Sequence, residues 1–123
     1  YFAFPALFVQ REHDRSDGPV EVQLAVSRDG RRFWRPDRSP YLPLGIKEND
    51  EDGGMMFMGQ GMLEVGDRVF QYFSARPHTH SEERYHPELF PQEDGRPVLR
   101  DLGIIGRAVQ DRDRFIGLCA GPG

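Results

Sequence analysis

Apolar and polar positions alternate with a period of two along several short stretches of this chain, and none keeps a helical period. The cleanest alternation is residues 20–27, where Val20, Val22, Leu24 and Val26 share one face and Glu21 and Gln23 the other. Residues 1–10 read as a strand before it, with Pro5 marking an edge or a bulge because proline cannot donate to a ladder. Arg28-Asp29-Gly30 reads as a tight turn whose glycine can take positive φ, and residues 31–35 as the return strand. Further on, 55–58 and 62–65 read as two short apolar strands, or one strand interrupted at 59–61. Gly66-Asp67 is a hairpin turn and 68–74 its return; 103–110, a turn at 111–113 and 114–118 complete the pattern. Between them, 11–19 and 36–52 are polar loops. Residues 76–102 are long, polar and rich in His and Pro, and are expected to form an exposed, poorly regular insertion. The pattern predicts an all-β chain.

Two of these stretches look like copies of one hairpin. Residues 24–34 and 107–116 each hold a small-then-branched pair (Ala25-Val26, Ala108-Val109), a turn built on Asp and Arg, and an aromatic opening the return strand (Phe33, Phe115). A supersecondary unit used twice suggests a repeat architecture in which each unit buries its faces against neighbours. For strands and turns, that architecture is a propeller blade. The alternative closure is a small β-sandwich. Fourteen glycines and ten prolines argue against long helices, and nine Phe suit half-buried pleated surfaces. Only 37% of the chain is hydrophobic, which fits a part of a larger body, and the start at Tyr1 fits a fragment or a processed chain equally well.

Net charge is −4 with the signs interspersed, and no basic block exists, so a nucleic-acid partner is not expected. No apolar run approaches the roughly 20 residues of a membrane span, and nothing reads as a signal peptide. Cys119, the single cysteine, excludes an internal disulfide and a cysteine-cluster metal site, and is expected on a terminal strand. His78 and His80 have the His-x-His spacing that would put both rings on one face of a strand. No third ligand is placed by the sequence, so neither metal nor other cofactor is expected. Four acids and one base crowd into 47–53, with Asp50, Glu51 and Asp52 just ahead of the apolar run at 55–58. Crowded carboxylates raise one another's pKa, which suits acid–base chemistry. An acidic surface loop with Asp52 in a turn reads equally well from the residues.

In order and spacing, residues 22–36, Pro43-Leu44-Gly45, Asp52-Gly53-Gly54-Met55 and 65–72 resemble the C-terminal blades of a five-bladed β-propeller family of bacterial proteins. Gly103-Ile104-Ile105-Gly106 and the tail at 113–121 continue the likeness. The family is related to glycoside hydrolase families 32 and 43. The resemblance covers most of the chain except 76–102. It implies a partial propeller of about two blades: a partial blade over 1–35 and a second over 54–118 carrying the insertion, with the remaining blades elsewhere in the parent chain. It implies a carbohydrate ligand and hydrolysis of glycosidic bonds by paired carboxylates. A carbohydrate-binding or structural propeller without catalysis is the alternative, because fold alone cannot choose. Asp52 matches the family's acid at the start of an innermost strand, and so is the catalytic candidate. The characterised hydrolases carry there a Glu followed by Gly-Pro or Cys-Pro; this chain has a shorter acid and no proline. His80, just after the strand Gln71-Tyr72-Phe73-Ser74, and Arg11 with His13 on the first loop match the polar rim, implying contacts to sugar hydroxyls. The likeness leans toward a secreted or periplasmic setting.

Overall fold

The computed structural model describes residues 1–10, 16–46, 50–98 and 103–114. Ten strands account for nearly all the regular structure among them, so the chain is all-β. The strands are β1 (Phe2–Ala3), β2 (Ala6–Phe8), β3 (Val20–Val22), β4 (Ala25–Val26), β5 (Met55–Met58), β6 (Leu63–Val65), β7 (Arg68–Arg76), β8 (Gln92–Glu93), β9 (Arg96–Pro97) and β10 (Ile104–Asp111). One helical turn at Glu82–Tyr85 and a 3-10 turn at Pro87–Leu89 interrupt the insertion.

The first hairpin unit forms with the expected partners. β2 pairs antiparallel with β3 (Leu7 opposite Glu21), β1 with β4 (Phe2 opposite Val26), and Val26 bridges Trp34 on the return. Both members break at the same level. Pro5 interrupts the first, residues 23–24 interrupt the second, and the Gln23 amide donates to the Pro5 carbonyl at 3.1 Å. The break shifts the phase of the alternation, so Gln23, which the pattern places on the face opposite Val20 and Val22, is buried as they are. Its amide is satisfied there, donating to Glu21 Oε1 at 2.7 Å and accepting from Arg35 Nη1 at 2.9 Å. The turn closes as its residues suggest. Asp29 Oδ1 accepts from the Arg31 and Arg32 amides at 2.8 and 2.9 Å and from Ser27 Oγ at 3.0 Å, and Gly30 takes φ 72°. Those donors, led by the Arg32 and Arg31 amides, hold the Asp29 carboxyl below its ordinary pKa.

The nine-residue β7 is the spine of the second unit. β5 and β6 lie along one edge, opposite 73–76 and 68–70, and are thus one strand interrupted by a bulge at 59–62. Gly61, at φ 81°, makes that bulge possible, and Gly66, at φ 64°, the hairpin turn. β10 runs along the other edge in eight antiparallel pairs. Opposite Phe73 stands Gly106, and any Cβ there would run into the Phe73 ring, so the glycine makes room for the aromatic. Beyond Arg114 the expected last strand, like Cys119, lies outside the described residues.

The two units are not separate sheets. β3 and β5 meet in a parallel pair, Val20 opposite Met55, giving one six-stranded open sheet with β2 and β10 at the ends of the main path. Its inner face buries Val22, Met56 and Ala75 against Phe4, Tyr41, Leu42, Leu44, Met58, Phe73 and Ile104, so both units build the core. Tyr41 ties them together: its hydroxyl lies 2.6 Å from Gln71 Oε1 on β7 and 3.1 Å from Gln110 Oε1 on β10. Its burial raises the phenol pKa above the ordinary value of 10.0. A raised folded-state value makes this contribution complete below pH 10.0 and lost as pH climbs through the folded value. Stability against urea should therefore fall above that pH in the wild type and fall less in Tyr41→Phe. The variant itself should lose about 1–2 kcal/mol, since it strands the buried Gln71 oxygen.

The opposite face is different. Phe57, Leu63, Val65, Tyr72, Ile105 and Val109 all point to it by strand register and are exposed, Ile105 to 76%. Six large apolar side chains on one uncovered sheet face exceed the scattered exposure usual on soluble surfaces.

The insertion corrects its forecast. Its first half is docked, not loose. The Thr79 hydroxyl donates to Asp17 Oδ2 at 2.7 Å, the Ser81 amide to Asp17 Oδ1 at 2.8 Å, and the His80 amide to the Gly18 carbonyl at 3.1 Å. Phe90 is buried with its ring 4.3 Å from that of His78. Residues 84–89 and the small β8–β9 hairpin are exposed, as composition suggests.

Candidate cleft at the end of the outer face

A cleft of about 470 Å³ opens where β5 begins, β7 ends and β10 begins. Register explains its composition. Met55 stands opposite Arg76, and Phe57, Ser74 and Ile105 form the next row on the same face, so these side chains converge. Gly103 leaves space beside Arg76, since a Cβ placed there would meet nothing closer than the Ala75 carbonyl oxygen at 3.5 Å. His80 forms the wall. Its ring stands edge-on to Phe8 at 5.3 Å, and its Nδ1 is 3.1 Å from Ser81 Oγ. Five apolar residues (Met55, Phe57, Ala75, Ile104, Ile105) and three polar ones (Ser74, Arg76, His80) make a surface with the mixed character of a ligand site. Among the described residues lining it there is no carboxylate.

The docked insertion positions that wall. Asp17 and Glu82 are both buried, and each accepts from the 79–81 backbone or side chains: Asp17 as above, Glu82 from the Thr79 amide at 3.1 Å. Glu82 Oε2 also lies 3.3 Å from His78 Nδ1. The two histidines therefore face different neighbours, and residues 78–80 form no strand, so the His-x-His geometry does not arise. Among the described residues no three His, Cys, Asp or Glu side chains converge as metal ligands. Among the described residues no helix is long and apolar enough to cross a membrane.

Asp52 lies in the turn that feeds β5, three residues before Met55. Asp50 closes that turn: its Oδ2 accepts from the Ile46 amide at 2.7 Å, and its carbonyl accepts from the Gly53 amide at 3.1 Å. Glu51 is exposed. Asp52 is half-buried with Oδ1 against Gly45, a position where a Cβ would collide with it. The following Gly54 packs against the backbone of Pro77 and His78, equally without room for a side chain. Asp52 and the cleft thus belong to the same end of the sheet, but Asp52 is not among the residues lining the cleft. Arg11 and His13 lie outside the described residues. Among the candidates within the described residues, only His80 lines the cleft. Sequence reasoning does not single out Arg76 or Ser74, although the alternation along 68–76 puts both on one face. No protein-family model, curated protein or solved structure matches the chain.

Proposed function

We propose that this chain is a segment of a glycosidase-like five-bladed β-propeller that acts on carbohydrate. The cleft forms part of its sugar site, and Asp52 is the acid this segment contributes. The observation that carries the reading is the open sheet with one packed face and one uncovered apolar face. A blade needs neighbours on both sides, and Leu63, Val65 and Val109, away from the cleft, are what a following blade would cover. Supporting it is the arrangement at one end of that sheet: an acid-bearing turn, a histidine and an apolar floor, parts from which a sugar site is built. The missing carboxylate in the described cleft lining favours a second reading, a propeller that binds carbohydrate without cleaving it. The test is incubation of the full-length protein with a panel of oligosaccharides, following released reducing ends and, separately, binding. Cleavage supports the enzyme, binding alone the second reading, and neither outcome would sink both.

A further inference from the structure

We propose that the cleft selects a sugar bearing a carboxylate, a uronic-acid-type residue, with Arg76 as the group that binds the carboxylate. The inference rests on the carbohydrate reading and goes one step further, to the class of sugar. Three observations carry it. First, the ionisable groups in the described lining are Arg76 and His80, and no acid balances them. Second, no ion pair or side-chain hydrogen bond engages the Arg76 guanidinium among the described residues. Third, the residue facing Arg76 across the cleft is Gly103, which leaves the space beside the arginine stem open.

The chemistry follows from those positions. A guanidinium is planar and presents parallel N–H donors that match the two oxygens of a carboxylate. Phe57, Met55 and Ile105 give a flat apolar floor for the C–H face of a pyranose, and Ser74, between Phe57 and Ile105 in register, offers a hydroxyl to a ring substituent. A cleft of about 470 Å³ lies within the roughly 300–1,000 Å³ of small-ligand sites. A neutral sugar in the same place would take water from Arg76 and return no charge partner, so the site discriminates against it.

The experiment compares a galacturonic-acid disaccharide with its neutral galactose counterpart by calorimetric titration of the full-length protein. The acidic sugar should bind about tenfold tighter or more, the usual worth of one charge-assisted pair, and the preference should shrink as salt is raised. Arg76→Gln should bring the acidic sugar down to the neutral one. Gly103→Leu, which alters no charge, should weaken both. Equal affinity for the two sugars in the wild type overturns the proposal while leaving the carbohydrate reading standing. A preference that survives Arg76→Gln overturns the assignment to Arg76. Binding of neither sugar ends the proposal, and binding of some other oligosaccharide then shows whether the carbohydrate reading survives it. The wild-type comparison needs no variant to fold.

Discussion

On the proposed glycosidase reading, replacing Asp52 by Asn in the full-length protein is expected to cut glycoside turnover by about 10²–10⁴-fold, the usual worth of general acid–base help. Sugar binding should barely change. The prediction falls on Asp52 because the other acids of the turn have different environments. Asp50 is committed to closing the loop on Ile46, and Glu51 is exposed. Asp52 is half-buried and seated against Gly45, a contact that fixes where its carboxylate stands. Asparagine has nearly the same shape, so the seat should survive and only the ionisable oxygen is lost. The control is Asp29→Asn. There the carboxylate accepts from the Arg31 and Arg32 amides, so this change should lower the thermal midpoint and leave turnover alone. Near-wild-type turnover in Asp52→Asn would remove the residue from the chemistry and favour a binding role for the segment.

How much of this was legible in the sequence depends on whether the signal was local. The turn at Arg28-Asp29-Gly30 was readable because an Asp that closes its own loop needs only residues two and three positions away. The pairing of β7 with β6 was readable for a similar reason: alternation and turn residues specify hairpins. The parallel meeting of Val20 with Met55 was not, since it joins segments with a long loop between them and has no periodic signature. The burial of Gln23 was not legible because one break at Pro5 shifts the phase on the neighbouring strand, and alternation assumes an unbroken ladder. The docking of residues 79–82 was not legible from composition. Their polar side chains look solvent-bound until Asp17, more than sixty positions earlier, supplies the partner for Thr79 and Ser81. The same limit hid Arg76 as a cleft residue: a cation at the end of a strand has meaning only once β10 lies beside it.

Asp17→Ala is the substitution expected to cost most in stability, about 3–5 kcal/mol, from two bonds to a buried carboxylate and a stranded donor. Asp17 is 3% exposed and Thr79 1%, so no water replaces what is removed. Set against a typical total of about 5–15 kcal/mol, the loss is a large share. Asp17→Asn separates charge from geometry. The amide oxygen can still accept from Ser81, and the Thr79 hydroxyl can rotate to accept from the new NH₂, so the cost should be nearer 1–2 kcal/mol. The damage should also be local before it is global. Amide exchange at His80 and Ser81, which donate to Gly18 and Asp17, should quicken well before exchange along β7 does. Since the same segment holds His80 against Phe8, ligand affinity at the cleft should fall in proportion to that local opening. Urea unfolding of Asp17→Ala within about 1 kcal/mol of the wild type, below the cost of stranding one buried donor, would mean that the insertion is held by contacts other than Asp17. Unchanged exchange at His80 would mean the same.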